Sequence, residues 1–447
     1  MNATPLGWIG IVRLGLVQTA LGAIVVLMTS TINRVMVVEL ALPAFVPGLL
    51  VASHYAVQIL RPAWGYGADV GGRRTPWIVA GMAVLALGGV GAAVATTLIA
   101  GHPLLGLSLA ALSFLMVGMG AGAAGTSVLA MLATRVAPHR RAAAATTVWV
   151  MMIFGFALTA PLAGHFLDPF SYVRLTGVTT TVATIAFVVA TFAVMGVETD
   201  KVKPAANVLQ AQKPSFREAF AQVWAEPAAR RFTIFIFVSM LAYSAQELLV
   251  EPFAGVAFGM TPGATTKLAG TQHGGVLTGM LFVAFAASAI GGPILGSLRL
   301  WTVGGCLASA LSLVAVAASG LSEQPFPLQA SVFALGVSNG AFAVAAIGSM
   351  MGLAGSGSGS REGTRMGLWG AAQAVAFGLG GFLGTVAVDV ARQFVAAPVT
   401  AYAMVFIAEA ILFLFSAMLA SQISQAAGVS GRPHASGADQ NSFAARI

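Results

Sequence analysis

The sequence predicts an all-α membrane protein in which twelve transmembrane helices form two six-helix bundles. Two features of its composition carry this prediction: 58% of the 447 residues are hydrophobic, and only 8% are charged. A water-soluble domain has about 25% charged residues, so a chain this poor in charge requires lipid as its solvent. The apolar stretches are long and do not alternate with polar residues, which favours helices over a transmembrane barrel.

Twelve apolar runs are long enough to cross a hydrocarbon core of about 30 Å. They cover residues 14–32, 44–62, 76–100, 105–134, 143–164, 172–196, 232–251, 274–298, 300–320, 328–353, 365–390 and 397–421. The first run has full spanning length and no convincing cleavage site, so it is expected to be a helix rather than a signal peptide. The predicted organisation is an N-terminal bundle, a cytoplasmic linker, a C-terminal bundle and a flexible cytoplasmic tail, at 1–196, 197–231, 232–421 and 422–447.

The basic residues predict the orientation of the chain in the membrane. If the N-terminus is cytoplasmic, most of the 22 lysines and arginines fall in cytoplasmic segments. This bias places both termini in the cytoplasm and accounts for the net charge of +8 without a nucleic-acid partner. The linker contains an amphipathic stretch around Phe216 and Phe220. It is expected to lie on the lipid surface or to pack on the bundle, and both alternatives stay open.

The loop between the second and third helices carries a recognisable motif. It reads Gly-x-x-x-Asp-x-x-Gly-Arg-Arg over the positions Gly65, Asp69, Gly72, Arg73 and Arg74. Glycines permit a tight reversal, and the acid can pair with an arginine or meet a helix N-terminus. The motif resembles the gating-loop signature of the major facilitator superfamily, which implies the fold of two six-helix bundles.

Further stretches narrow this resemblance to one family. They are Ile32–Leu40, Arg61-Pro62, Arg73–Ile78 and Gly367–Ala374. Together they resemble the PucC/LhaA family of purple phototrophs, also called the bacteriochlorophyll delivery family, over about residues 6–421. The resemblance implies a protein of the photosynthetic inner membrane that assists light-harvesting complex assembly and binds bacteriochlorophyll a or a precursor. The partners expected from it are antenna polypeptides, the reaction-centre antenna complex and bacteriochlorophyll synthase.

Three intramembrane polar residues are candidates for pigment binding. His54 and Gln58 lie four residues apart on one face of the second helix, and Glu409 lies in the middle of the twelfth. A neutral imidazole can be the axial ligand of a chlorophyll magnesium, although a buried histidine more often makes a helix–helix hydrogen bond. An acid at mid-membrane is costly, so Glu409 is expected to be protonated and hydrogen-bonded, or to mark a lateral surface.

Helices one, four, seven and ten line the central cavity in facilitator folds, and here they are almost free of ionisable groups. Glu247 and Glu251 are the exceptions, four residues apart near the outer end of helix seven. A cavity this apolar favours a lipophilic ligand over a sugar or an ion. Two alternatives to pigment delivery remain: a proton-coupled secondary transporter of a lipophilic solute, and a membrane chaperone that binds no pigment.

Enzyme and metal motifs are not found in the sequence. There is no phosphate-binding glycine loop, no paired-cysteine spacing and no His-Glu-x-x-His segment, and the serine, histidine and aspartate residues are scattered. The chain is therefore expected not to be an enzyme and to bind no free metal ion.

Overall fold

A computed structural model describes residues 6–60, 73–137, 140–198, 224–286, 292–322, 327–356 and 362–430. The long helices in these ranges are α1 (Trp8–Val26), α2 (Phe45–Val57), α3 (Thr75–Ile99), α4 (Pro103–Arg135), α5 (Arg141–Leu167), α6 (Tyr172–Val194), α7 (Pro227–Phe258), α8 (Pro262–Ala286), α9 (Leu298–Leu321), α10 (Leu328–Ser356), α11 (Glu362–Phe394) and α12 (Pro398–Ser430). The predicted fold class, an all-α protein with twelve helices, is confirmed.

Ten helices in the described ranges are long and apolar enough to cross a membrane. The two others are α2, which has 13 residues, and α8, which is long but more polar. Successive helices run in opposite directions, so all odd-numbered helices begin at one end of the bundle. This end, where Trp8 lies, is called the terminal end below, and the opposite end is called the far end.

The first helix is longer than its apolar run. Two π-helical segments, Leu27–Ile32 and Val35–Glu39, continue α1 towards the far end. Arg34 and Glu39 therefore belong to the helix, whereas the sequence placed them just beyond a helix at 14–32. The extension is stable because Arg34 is buried against other helices and finds polar partners there.

The prediction for helix eight was wrong by about three turns. The expected range was 274–298, but α8 runs from Pro262 to Ala286. Its first half contains polar residues, which hid it from a search for apolar runs. Thr265, Thr266 and Gln272 are buried by neighbouring helices rather than exposed to lipid.

The linker and the tail fall largely outside the described ranges. Residues 199–223 are not described, so the amphipathic linker helix stays a prediction. The predicted tail begins at 422, but α12 continues to Ser430. The boundaries of the two bundles stay predictions, although each half has its own hydrophobic core, one containing Phe114 and the other Phe342.

The two bundles contact each other along two helix pairs, α2 with α11 and α5 with α8. Small residues allow this approach. A Cβ atom on Gly48 of α2 would lie 2.1 Å from Oγ1 of Thr385 on α11. A Cβ atom on Gly270 of α8 would lie 2.5 Å from Cδ of Pro161 on α5. Association in lipid depends on such close packing, because there is no hydrophobic gain in moving apolar helices from lipid to protein.

A close helix contact lies inside the C-terminal bundle, between α8 and α10. A Cβ atom on Gly279 would lie 2.1 Å from the Val337 carbonyl oxygen, and one on Gly340 would lie 2.1 Å from the Val276 carbonyl oxygen. Both contacts are to backbone atoms, which cannot rotate away. The two helices therefore require glycine at these positions.

Replacement of Gly279 by alanine is expected to lower the melting temperature of the detergent-solubilised protein by several degrees, because α8 and α10 must separate. The matched control is Gly274→Ala on the same helix, where a Cβ atom would meet nothing within 4 Å. That change is expected to be neutral or slightly stabilising, because alanine is the better helix former by about 0.5–1 kcal/mol. Equal melting temperatures for both variants would contradict the close packing.

Candidate functional site

An aromatic group lies where α2, α7 and α11 meet at the contact between the two bundles. The ring of Tyr55 on α2 and the ring of Tyr243 on α7 each have their centroid 5.7 Å from that of Phe377 on α11. Tyr55 and Phe377 are half-buried, and Tyr243 is 8% exposed. Three rings from three helices thus border a space that remains partly accessible.

Polar groups on α7 and α11 complete this arrangement. The Glu247 carboxyl group follows Tyr243 by one turn on α7 and lies within reach of its hydroxyl group. The Gln373 side chain, one turn before Phe377, places its Nε2 3.9 Å from Sδ of Met240. We call the residues Tyr55, Met240, Tyr243, Glu247, Gln373 and Phe377 the central cluster. Such a combination of flat apolar surface with few polar groups is typical of sites for lipophilic ligands.

The aromatic contacts continue from the central cluster into the C-terminal bundle. The Phe342 ring on α10 lies 6.3 Å from the Tyr243 ring, and 5.8 Å from the Phe413 ring on α12. Both phenylalanines are fully buried. Their tilted and edge-on packing fixes the position of Tyr243 from behind, so that the accessible side of this ring faces α11 and α2.

A second group of polar side chains joins the bundles at the far end. Arg34 of α1 is 2% exposed and forms an ion pair with Glu39. It also donates a hydrogen bond of 2.6 Å to the Met260 carbonyl oxygen, at the α7–α8 connection. The Asn33 amide donates to the Leu248 carbonyl oxygen on α7 at 2.8 Å. We call Ser30, Asn33, Arg34, Glu39 and Glu251 the far-end cluster.

Glu251 belongs to the far-end cluster, whereas Glu247 belongs to the central cluster. The Glu251 carboxyl group is 2% exposed and lies beside Ser30 and Thr265, with the Arg34 guanidinium nearby. The two acids were expected as a pair near the outer end of helix seven. Both lie in the second half of α7, towards the far end, and the helix continues past them to Phe258, but they belong to different clusters.

The structure brings His54 and Gln58 together within α2. Nε2 of Gln58 lies 3.1 Å from Nε2 of His54, and His54 is 4% exposed. The backbone of His54 packs against Gly118 of α4, where a Cβ atom would come within 2.4 Å of the His54 carbonyl oxygen. The imidazole is therefore engaged within the N-terminal bundle. Magnesium ligation by His54 stays a prediction, and it requires the pair to separate.

Glu409 lies inside the C-terminal bundle rather than on a lateral surface. It is 3% exposed, and neither carboxyl oxygen has a hydrogen-bond partner among the described residues. Phe406 and Phe413, on the same face of α12, are fully buried as well. The proposed lateral pigment surface at Glu409 was thus wrong, and the expected hydrogen bond is not found in the described part of the chain.

The gating-loop motif is only partly described. Gly65, Asp69 and Gly72 lie outside the described residues. Arg73 is exposed, whereas Arg74 is buried and donates a side-chain hydrogen bond to Oγ1 of Thr134 at the end of α4. Sequence reasoning missed Glu198, whose carboxylate accepts the backbone N–H groups of Arg74 and Thr75 at 2.9–3.0 Å. A carboxylate thus stabilises the start of α3, where the helix dipole is positive.

Sequence reasoning also missed the aromatic members of the central cluster. Tyr55 directly follows the predicted site residue His54, and Tyr243 precedes Glu247 by one turn. The sequence offered one indication of these rings, which is that tyrosine is rare: the whole chain has five tyrosines. Four of these five, Tyr55 and Tyr243 among them, lie within the predicted apolar spans.

A surface groove of about 620 Å³ opens at the far end, between the α1–α2 connection and the end of α11. Asp389 lines it and accepts hydrogen bonds from the backbone N–H groups of Ala44 and Phe45. Arg392, also in the lining, donates to the Tyr402 hydroxyl. The polar groups of this groove are therefore occupied in holding α2, α11 and α12 together.

Comparison with known proteins identifies relatives over nearly the full length. The model of the PUCC protein family matches residues 31–428. The bacteriochlorophyll synthase 44.5 kDa chain of Rhodobacter capsulatus is 52% identical, over 96% of this chain and 98% of that protein. Protein PucC of Rhodobacter capsulatus is 30% identical, over 94% of this chain and 93% of that protein. Both alignments include the central and far-end clusters.

Solved structures with the same fold are transporters. A D-xylose-proton symporter superposes with a TM-score of 0.72 at 12% identity, covering 92% of this chain and 97% of that one. The nucleoside transporter NupG superposes with a TM-score of 0.67 at 13% identity, covering 93% of this chain and 99% of that one. The predicted fold of the major facilitator superfamily is confirmed. At these identities the likeness shows the fold alone.

One expectation is contradicted by these comparisons. The absence of enzyme motifs led to the expectation that the chain is not an enzyme, but the 52% identical relative is named as a chain of bacteriochlorophyll synthase. This name associates the relative with an enzyme. Motif searches had no means to detect the association, because an accessory chain need not carry catalytic residues itself.

Replacement of Arg34 by glutamine is expected to lower the free energy of unfolding by about 1.5–3 kcal/mol, because the Met260 carbonyl oxygen loses a charged donor and Glu39, whose side chain is 33% exposed, loses its ion pair. Unfolding in detergent can be followed by maleimide labelling of Cys306, the one cysteine in the sequence, which is buried. The control is Lys267→Gln, since the Lys267–Asp168 pair is 42% and 30% exposed. That change is expected to cost under about 1 kcal/mol. A loss as small for Arg34→Gln would disprove the role of the far-end cluster.

Proposed function

Because this chain belongs to the PUCC protein family, we propose that it holds bacteriochlorophyll a or a precursor in the membrane and delivers it to antenna polypeptides. The observation that carries the proposal is the central cluster, a half-buried aromatic surface at the contact between the two bundles. The role in light-harvesting complex assembly is suggested by the relatives named PucC.

The central cluster suits a flat tetrapyrrole with a hydrocarbon tail. Tyr55 and Phe377 offer partly accessible ring faces for stacking, and their rings come from different bundles. Met240 adds a flexible, polarisable side chain that adapts to an irregular ligand edge. The Gln373 amide supplies a donor for a carbonyl group at the ligand periphery, since its present acceptor is the weak thioether sulfur of Met240.

The central cluster also contains an oxygen ligand for the pigment magnesium. Mg²⁺ prefers oxygen, and the Glu247 carboxyl group lies one turn from the Tyr243 ring. His54 and Gln58 remain the alternative ligands, but their mutual contact has to open first. Between these two, we favour Glu247, because it is half-buried and adjacent to the aromatic surface.

Pigment must be supplied to this site and removed from it. We propose that bacteriochlorophyll synthase supplies it, as the name of the 52% identical relative suggests. Antenna polypeptides, alone or in the reaction-centre antenna complex, accept it within the bilayer. In this arrangement the terminal end faces the cytoplasm of a photosynthetic inner membrane, in agreement with the excess of lysine and arginine at that end.

The decisive experiment is the absorption spectrum of the protein purified in mild detergent from a bacteriochlorophyll-producing host. The wild type is expected to retain pigment. Tyr55→Ala and Phe377→Ala are each expected to weaken retention roughly tenfold, since one aromatic contact contributes about 0.5–1.5 kcal/mol beyond the buried area. The control is Phe333→Ala on α10, where the ring is 41% exposed and faces away from the cluster.

Several outcomes would reject pigment binding. A pigment-free wild type that still co-purifies with antenna polypeptides would identify a chaperone that binds no pigment. Equal pigment content in Phe333→Ala and Phe377→Ala would place the pigment elsewhere. Glu247→Gln distinguishes the two magnesium ligands, because it should shift the pigment absorption band whereas His54→Ala should not.

The far-end cluster favours a second candidate function, secondary transport of a lipophilic solute. Its hydrogen bonds and ion pair join α1 of one bundle to α7 and α8 of the other, as expected for a gate that closes one end of a central pathway. If the protein is a transporter, proton-linked flux of a lipophilic solute is expected in vesicles that contain the wild type. This flux is expected to be lost in Glu251→Gln. Retained pigment without any flux would favour delivery over transport.

A further inference from the structure

The interior of the C-terminal bundle contains four polar side chains that neither proposed function uses. They come from four different helices: Gln246 on α7, Ser309 on α9, Asn339 on α10 and Glu409 on α12. The first three are 0% exposed and Glu409 is 3% exposed. In a helix bundle within lipid, polar residues buried this deeply are costly and usually have a function.

Ring contacts place Gln246 and Glu409 within about 6 Å of each other along the bundle axis. Phe253 on α7 and Phe406 on α12 have centroids 5.2 Å apart. Gln246 precedes Phe253 by seven residues, on the same helix face, and Glu409 follows Phe406 by three. The two helices are antiparallel, so both steps lead towards the terminal end, by about 10 Å and about 4.5 Å at a rise of 1.5 Å per residue.

Asn339 and Ser309 lie at this depth as well. Phe342 on α10 contacts Phe413 on α12, and Asn339 and Glu409 precede these rings by about one turn each. The Ser309 hydroxyl donates to Oδ1 of Asn339 at 2.8 Å, which brings α9 to the same level. The four side chains therefore form one polar layer across the bundle, with the Phe253–Phe406 pair on the far side of it.

Most polar atoms of this layer have no partner among the described residues. Both carboxyl oxygens of Glu409, both amide atoms of Gln246 and Nδ2 of Asn339 are buried without a hydrogen bond. Each such atom costs several kcal/mol in a membrane interior. Three side chains from three helices thus present unpaired donors and acceptors at one level.

We propose that this layer is a buried binding site for a proton and for water, centred on Glu409. A charged carboxylate here would have no cation beside it, because the described residues form no ion pair with Glu409. Glu409 therefore carries its proton as a neutral acid. Water molecules bridge its carboxyl group to the amides of Gln246 and Asn339, since buried water occupies places with two to four unpaired polar atoms.

Other titratable groups on the neighbouring helices leave this assignment intact. On α7, Tyr243 and Glu247 lie in the central cluster beside Phe377 of α11, and Glu251 lies beside Arg34 of α1. The α9 helix contributes the buried thiol of Cys306. On α11 and α12, Asp389, Arg392 and Tyr402 contact one another at the far end. None of these is a buried cation that would hold Glu409 in its charged form.

The N-terminal bundle has only part of such a layer. Gln18 on α1 and Ser127 on α4 are buried, and each has an unpaired oxygen. The sixth helix, which occupies the position of α12 in the repeat, contains no acidic residue between Tyr172 and Val194. Among the described residues, the layer with an acidic member is therefore the one in the C-terminal bundle.

Infrared difference spectroscopy of the full-length protein in lipid tests the site. Subtraction of the Glu409→Gln spectrum from that of the wild type is expected to reveal a neutral carboxylic C=O band. This band is expected to shift to lower frequency within minutes in D2O, because water in the layer exchanges the proton. Asp168→Asn, which alters a partly exposed acid outside the layer, is the control and is expected to leave the band unchanged.

Two results would overturn the proposal. If Glu409→Gln loses only carboxylate bands and no neutral C=O band, then the Glu409 side chain is charged in the wild type. A neutral C=O band that does not shift in D2O over hours would mean that no water reaches the Glu409 carboxyl group. If Glu409→Gln fails to fold, Gln246→Leu serves instead. It is expected to move the C=O band to higher frequency, and an unmoved band would likewise overturn the proposal.

Discussion

Close approach of helix backbones is the constraint on which the rest of this structure depends. In lipid, apolar side chains gain nothing by moving from the solvent to the protein, so stability rests on van der Waals contact and on interhelical hydrogen bonds. Glycines provide that contact where a methyl group would meet a neighbouring backbone, as at Gly279 and Gly340. At Gly48 and Gly270 a methyl group would instead meet the side chains of Thr385 and Pro161, and these close contacts hold the two bundles against each other. Every buried polar group is positioned by this packing.

The two clusters occupy different places in that frame and suit different tasks. The central cluster is aromatic, partly accessible and built from both bundles, which is appropriate for a large apolar ligand. The far-end cluster is polar and buried, and Arg34 supplies a cation that several oxygen atoms share. A buried arginine of this kind specifies how the bundles meet more than it adds to stability, since desolvation offsets much of the attraction. The two clusters thus occupy separate places along the same helix, α7.

Membership in a family with an enzyme-associated relative changes how the fold is interpreted. Two solved structures that resemble this one are a D-xylose-proton symporter and a nucleoside transporter, and their likeness extends only to the arrangement of helices. Function depends on which residues face the space between the bundles. Here these are tyrosine, phenylalanine and methionine together with one acid, Glu247. An apolar pigment is a better match to this lining than a sugar or a nucleoside.

The sequence alone determined the membrane environment, the all-helical fold, the number of helices and the family. These follow from the length of the apolar runs and from local motifs, because a span across lipid must satisfy its own backbone hydrogen bonds. It did not reveal that α8 begins at Pro262, since polar residues can be buried by neighbours that are distant in the chain. It also could not separate Glu247 from Glu251, or show that Tyr55 rather than His54 faces the other bundle. Only the tertiary structure decided these points, because the partners of a side chain within a helix bundle are set by the packing angle and depth of other helices.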